Sequence, residues 1–587
     1  MLEVIVVVLV LVFLILSLFK EWFQPAISFL IAVIILGAFG ILSGQDILQG
    51  FGDQQIASIL LLIVFGNLLG NASILDVLFS KAFETTKTYF GFMSRLLPSV
   101  SVVSAFMNNT PIVALLIPYV YKWGKQNHIP ISKLLIPLSF AAILGGTITL
   151  VGTSTNMLVN AFATSQSDVQ FSIFDFTWVG LPLSIIGLAY IIIFGKKLLP
   201  VRTTISEAFT ENTREYIVET HVPANSSYIG KSIREANLRE LNGLFVVEII
   251  RGEQSIVPVR PSEVLQQGDI LILAGNTHAI TDLIDLNVDL KLPEPTSIDK
   301  TIDFDMIEVV VAQGSHLANK QVKHSDFRRR YNSSLLAVNR KGEQLHGKLG
   351  DKTLRTGDTL LITTGNDFET NAYAQSDFYQ ISKIKEVRPL DVKQSLVVAL
   401  GMITAIILSS VGILSLFKGL LILLLICLLA RILSFNKLNR YMDYNLLVIA
   451  ALALALGKAL ETTGISASVA QWVVTFTEPV GVLGALCGIY LLSFVFTELM
   501  TNIAAASLAL PFGLAVANQL GVTPEPFFLA IAYAASASFI TPVGYQTNLM
   551  IYGPGGYKFK DFLHFGLPLS IVYFIVAIAI LYWRFFM

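Results

Sequence analysis

Long apolar runs separated by short polar breaks fill both ends of the chain, whereas the middle third alternates polar and apolar residues. A run of about 20 apolar residues is what a helix needs to cross a bilayer. In the first half such runs fall at 2–19, 26–43, 57–79, 134–163 and 177–196. In the second half they fall at 393–413, 416–434, 444–460, 524–552 and 564–584. Between the third and fourth run of each half lies a stretch too interrupted for one clean span, 90–124 and 478–520. Each predicts a re-entrant helical hairpin, whose broken tip is tolerated at membrane depth only against protein or water. The tips are expected at Asn108–Thr110 and Thr501–Ile503. The pattern predicts a polytopic α-helical membrane protein of two repeats, residues 1–199 and 389–587, each of five spans plus one hairpin.

The intervening stretch is charged and strand-patterned, and it too repeats. Tyr216–Val222 and Met306–Val311 alternate as strands do. Leu244–Ile250 and Ser334–Val338 follow as apolar runs, and each copy closes in a Gly-Asp pair before another, at Gly268–Asp269 and Gly357–Asp358. Gly-Asp before an apolar strand suits a tight turn. A joint at Leu292–Pro293–Glu294–Pro295 separates the copies, so two small α/β domains are expected at 200–291 and 292–388.

Composition agrees with a membrane protein: 54% of residues are hydrophobic and 14% charged, against roughly 25% charged in soluble domains. The net charge of -1 says nothing about nucleic acid, and no basic tract suggests such a partner. The run at Leu2–Phe19 lacks a basic leader and a small-residue cleavage site, so a membrane helix is expected there rather than a signal peptide. Cys427 and Cys487 lie in apolar stretches and imply no disulfide framework. Loops rich in Lys and Arg stay in the cytoplasm. Lys20, Lys81, Lys87, Arg95, Lys122, Lys125, Lys133, Lys196, Lys197 and Arg202 fall on one side, with Arg388, Lys393, Lys437, Arg440, Lys558 and Lys560. The loops near 43–55, 165–175, 466–479 and 517–526 have no Lys or Arg, and Lys418 is an exception. Both termini are therefore expected outside the cell membrane and the insertion in the cytoplasm. An odd number of crossings per repeat inverts the second repeat relative to the first.

The sharpest signal is a duplicated motif. Ser104–Ala105–Phe106–Met107–Asn108–Asn109–Thr110 is matched by Thr497–Glu498–Leu499–Met500–Thr501–Asn502–Ile503. Pro118 and Pro511 follow at equal spacing, then Gly152–Asn156 and Gly544–Asn548. One such polar cluster in an apolar helix usually glues helices together. Two copies in register, in segments broken by Gly and Pro, point to a transporter binding site where the repeats meet.

On these residues the membrane halves resemble the divalent anion:sodium symporters of solute carrier family 13. In that family each hairpin is tipped by Ser-Asn-Thr and followed by an unwound segment near Gly-Thr-Pro-Pro-Asn. The resemblance implies a first sodium site at Ser104, Asn108, Asn109, Gly152 and Asn156, and a second at Thr497, the Met500 backbone, Asn502, Gly544 and Asn548. It implies an anion between the tips, held by Asn108, Asn109, Thr110, Thr501 and Asn502 with Ser154 and Gln546. Helix N-termini offer free N–H groups and positive dipole ends there. It further implies alternating access in a homodimer, with Na+ as the coupling ion; no other cofactor is expected, since 200–391 holds no G-x-G-x-x-G after a strand. Ile503 stands where the second threonine belongs, and Ser154–Thr155 and Gln546–Thr547 replace the paired prolines. The loss of one hydroxyl donor favours a compact anion such as sulfate over a dicarboxylate.

The inserted copies resemble the C-terminal domain of TrkA/RCK regulators, through Ile229–Ile233, Val257–Pro258–Val259 and the two Gly-Asp strands. Such domains pair into dimers and sometimes bind small regulators. That likeness keeps a potassium channel or transporter open as a rival, and Val543–Gly544–Tyr545 echoes a filter triplet. A filter needs four such loops around one pore. An enzyme is not expected, since the chain lacks H-E-x-x-H and G-x-S-x-G. Proton coupling would call for an intramembrane carboxylate. Glu498 is the candidate, although a role in orienting the hairpin is the plainer expectation.

Overall fold

A computed structural model describes residues 2–20, 22–70, 86–202, 217–236, 238, 244–252, 254–256, 259–275, 306–312, 315–331, 333–340, 343–345, 349–364, 372–380, 392–542 and 544–587. Helices dominate both ends. The first half carries α1 (Leu2–Phe19), α2 (Pro25–Ala38), α3 (Gly44–Gln49), α4 (Gln54–Gly70), α5 (Tyr89–Ser104), α6 (Asn109–Gln126), α7 (Leu135–Gly146), α8 (Ser154–Gln166) and α9 (Thr177–Leu198). The insertion adds two short helices, α10 (Phe327–Tyr331) and α11 (Ala372–Asp377). The second half carries α12 (Val392–Ser410), α13 (Leu416–Leu429), α14 (Phe435–Tyr441), α15 (Tyr444–Thr462) and α16 (Ile465–Thr477). It continues with α17 (Val482–Leu499), α18 (Asn502–Leu520), α19 (Glu525–Ser536), α20 (Gln546–Tyr552) and α21 (Phe559–Phe586).

Among the described residues six helices are long and apolar enough to cross a membrane, or seven if the bent pair α3–α4 counts as one. One buried core runs through both halves, from Val7 and Phe29 to Phe565 and Leu581. Exposed Leu, Ile and Phe side chains on α1, α12, α13 and α21 cover the outside, as expected of faces turned to lipid instead of water.

The two longest expected spans are each two helices. Residues 134–163 hold α7 and α8 with a break over 147–153, and 524–552 hold α19 and α20 with a break over 537–545. Both breaks open earlier than the glycine that was expected to start them. The stretch near 466–479, expected as a bare connection, is helix α16. Its Ser and Thr residues hid an apolar stripe of Ile465, Ala470 and Val473 that packs inward. The loop after α2 likewise contains α3, started by a capping box in which Ser43 and Asp46 satisfy each other's backbone N–H.

The insertion forms two antiparallel sheets from β1 (Ile217–His221), β2 (Leu244–Arg251), β3 (Gln254–Ile256), β4 (Ile270–Gly275), β5 (Met306–Val311), β6 (Ser333–Arg340), β7 (Glu343–Gln344), β8 (Thr359–Thr364) and β9 (Phe378–Gln380). The strand orders are β1-β4-β2-β3 and β7-β6-β8-β5-β9. Apart from β9 these are the same order. Gly268 and Gly357 both take left-handed φ, +84° and +83°, which a β-carbon resists. The aspartate after each accepts a two-pronged bond from the strand arginine, Arg251 to Asp269 and Arg340 to Asp358. The expected boundaries near 291 and 388, the joint at 292–295, Val257–Pro258 and the end of the span at 71–79 lie outside the described residues.

Candidate functional site

The two expected hairpin tips and the two helix breaks meet. At the first tip α5 ends at Ser104 and α6 begins at Asn109; at the second, α17 ends at Leu499 and α18 begins at Asn502. Asn108 and Thr501 precede α6 and α18 as cap residues, and Thr153 precedes α8, none with a side-chain bond into its helix. The first-turn N–H groups of three long helices therefore remain available.

Each tip is bonded to the break of the opposite half. Asn109 reaches the Tyr545 hydroxyl (2.6 Å) and Thr110 donates to Gln546 Oε1 (3.0 Å). Asn502 donates from Nδ2 to Thr155 Oγ1 (2.8 Å). Tyr545 also shares a bond with Thr153 Oγ1 (3.1 Å), so one phenol ties tip and both breaks together. Ser139, on α7, donates to Asn548 Oδ1 (2.7 Å), and its oxygen lies 2.8 Å from the Thr547 hydroxyl, which can donate to it.

Within each half the same bonds recur at corresponding positions. Ser104 Oγ donates to the Ala142 carbonyl (2.8 Å), and Thr497 Oγ1 to the Ala535 carbonyl (2.6 Å). Thr149 and Thr541 donate their hydroxyls back to the carbonyls of Ala105 and Glu498. Asn156 Nδ2 donates to the Thr149 carbonyl (2.9 Å), and Asn548 Nδ2 to the carbonyls of Ser538 (2.7 Å) and Thr541 (3.4 Å). These last two amides brace the breaks from inside. Glu498 Oε1 accepts from Ile540 N–H (3.3 Å), which links the second tip to its break as an orienting group would.

One end of the Asn109 amide faces the Ser104 hydroxyl (2.5 Å) and the carbonyls of Ala142 (3.2 Å) and Gly152 (3.3 Å); the other meets Tyr545. With nitrogen inward every partner is satisfied. With oxygen inward four oxygens converge, which is the donor set a hard cation takes at a helix break. Gly152 and Gly544 permit this approach. An added Cβ would stand 2.5 Å from the Gly146 carbonyl in one case and 2.5 Å from the Thr497 carbonyl in the other.

Burial separates the expected site residues into two groups. Ser104, Asn109, Gly152, Asn156, Thr497, Met500, Gly544 and Asn548 are buried, whereas Asn108, Thr110, Ser154, Thr501, Asn502 and Gln546 are half-buried around the tips. Sequence reasoning undervalued Tyr545 and did not find Ser139 or Tyr379. Tyr379, on β9 of the insertion, accepts a 2.6 Å bond from Gln546 Nε2. No motif marks it, because the contact joins separate parts of the chain.

A profile of the family described as citrate transporters (CitMHS) matches residues 11–519. The chain belongs to the citrate transporter family. It is similar over most of its length to a Chlamydomonas reinhardtii protein provisionally named a sulfur deprivation response regulator, with 33% identity over 92% of this chain and 95% of the relative. An uncharacterized transporter of Synechocystis is 29% identical over 96% and 94%. A sodium/sulfate cotransporter of Chlamydomonas reinhardtii is 22% identical over 96% and 88%. The family and the latter two relatives are transporters and not enzymes, and the protein is a multi-pass membrane protein of the divalent-anion transporter type.

Proposed function

We propose that this citrate-family member is a sodium-coupled symporter of a small divalent anion, with sulfate as the substrate. The observation that carries the reading is the split by burial at the crossed tips. A buried oxygen set built on Ser104, Asn109 and Gly152, and its counterpart on Thr497, Met500 and Gly544, suits dehydrated Na+. The half-buried rim of Asn108, Thr110, Ser154, Thr501, Asn502 and Gln546 suits an anion held by amides, hydroxyls and free N–H groups. Asn156 and Asn548 act by bracing the breaks around those oxygens. Ile503 brings no hydroxyl to the second tip, which favours a compact anion, and the sodium/sulfate cotransporter among the relatives supports the same choice. A carboxylate substrate is the second reading, favoured by the description of the family.

The same proposal holds that the halves are inverted repeats with re-entrant hairpins, and that a homodimer works by alternating access. The recurring bonds at corresponding positions support the repeat. It places the insertion, as two TrkA-C-like domains, in the cytoplasm and both termini outside. Basic residues gathered at the insertion's end support that orientation: Lys133 donates to the Lys196 carbonyl (2.8 Å), and Arg202 pairs with Asp561 (2.9 Å).

Radiolabelled sulfate uptake into proteoliposomes, with and without an inward sodium gradient, tests the reading. Sodium-driven sulfate uptake that ignores excess citrate and succinate is expected. Uptake of either carboxylate with indifference to sulfate would establish the second reading instead.

A further inference from the structure

We propose that Tyr379 of the second inserted domain is a positioning residue of the anion site, and that this domain closes the site's insertion-facing side through it. The proposal rests on the reading of the two tips as the substrate site. A bond chain leads from the domain to the tip: Gln546 donates to Tyr379 Oη (2.6 Å) and accepts from Thr110 Oγ1 (3.0 Å). Gln546 is thus clamped between the insertion and the first hairpin.

The clamp is part of a seated surface. Tyr379 pairs with Val310 across β9 and β5, so their side chains leave the sheet on one face. Val310 is buried in the core of the membrane helices rather than in that of its own domain, and Tyr379 packs against the same core. The Gly357 turn and Thr359 complete the seat on α20. A Cβ on Gly357 would stand 2.5 Å from Leu549 Cδ1, and one on Gly553 would stand 2.9 Å from Thr359 Cβ. The bare glycines at both places let the domain lie closer to the helix that opens with Gln546 than side chains would without a small shift.

The other end of the bundle is different. A cleft of about 470 Å3 lies there among α8, α15, α16 and α18, lined by Phe162, Gln166, Glu461, Gln471, Pro511 and Asn518. Both α8 and α18 begin at the site and end at this cleft. The conformation is therefore roomy on that side and covered on the insertion side. An anion leaving on the insertion side requires the Tyr379–Gln546 clamp to open in each cycle.

Two variants of the full-length protein test this. Tyr379→Phe removes only the hydroxyl, and loss of one hydrogen bond corresponds to about a fivefold change in an opening equilibrium. Hydrogen exchange of the backbone at 546–552 should quicken by that factor. Thr359→Cys with Gly553→Cys, in a Cys427→Ser/Cys487→Ser background, sets two Cβ atoms 2.9 Å apart, so a parting of about 1 Å reaches the ~3.5–4.5 Å Cβ spacing of a disulfide. Oxidation should stop sodium-driven sulfate uptake, and dithiothreitol should restore it.

Uptake by the oxidised, cross-linked protein at its reduced rate would overturn the gate. Unchanged exchange in Tyr379→Phe would overturn the clamp, and it decides the matter if no cross-link forms. Exchange does not depend on which anion is carried. A wild-type protein that ignores sulfate would therefore sink the substrate reading while the clamp is still judged.

Discussion

Asn109 holds one amide end among Ser104, Ala142 and Gly152 and the other against Tyr545, so its substitution disturbs the sodium set and the tie to the opposite half at once. Tyr545 is the sharper probe, because its hydroxyl touches Asn109 and Thr153 and nothing in the sodium set beyond that amide. Tyr545→Phe should raise the sulfate KM about tenfold, the ~1.4 kcal/mol of one good hydrogen bond, while folding is kept. Uptake measured over a range of sulfate concentrations checks this, and an unchanged KM would remove Tyr545 from the site. Ser104, Asn109, Gly152 and their partners were legible because the chain writes them twice at spacings that agree to within one residue. Tyr545 was not, since a phenol in an unwound segment reads as filler until its hydroxyl is placed.

Two kinds of element carry separate predictions. In the helix breaks, Gly544→Ala puts a methyl against the Thr497 carbonyl and the Ser538 hydroxyl. A cost of about 1–3 kcal/mol is expected for such overpacking, seen as a lower midpoint of thermal unfolding and a loss of sodium stabilisation. In the inserted sheets, Asp358 is buried and Arg340 is only 21% exposed. Asp358→Ala leaves a mostly buried guanidinium without its carboxylate, costing about 3 kcal/mol. Lys323→Ala removes an exposed pair with Asp351 and should cost less than about 1 kcal/mol. Thermal unfolding of the two variants side by side measures the contrast, and equal losses would show that the Arg–Asp pair is not what braces the turn. The strands were readable from alternation and the Gly-Asp turns from composition. Helix α16 was not, because its inward stripe has only a few apolar residues and includes Ser466, so the Ser and Thr content reads as a loop. The early opening of both breaks was missed because Thr147–Leu150 and Ala537–Ile540 are apolar enough to read as helix.

For the whole molecule, the division into two apolar halves around a charged, strand-patterned insertion was plain from hydropathy, and the family match agrees with a transporter. Contacts between the parts were not legible, since Tyr379 and Gln546 stand 167 residues apart with no pattern joining them. The orientation has its own check. A cysteine replacing Lys558 should react with an impermeant maleimide only from the cytoplasmic face, and labelling from outside would reverse the proposed topology. The central claim is that both halves supply one sodium-coupled anion site through their tip asparagines. Sulfate uptake by Asn109→Ala and by Asn502→Ala, measured against a sodium gradient in proteoliposomes, tests it most directly. Each variant should fold as the parent does and fall to background uptake; wild-type rates in both would contradict the account.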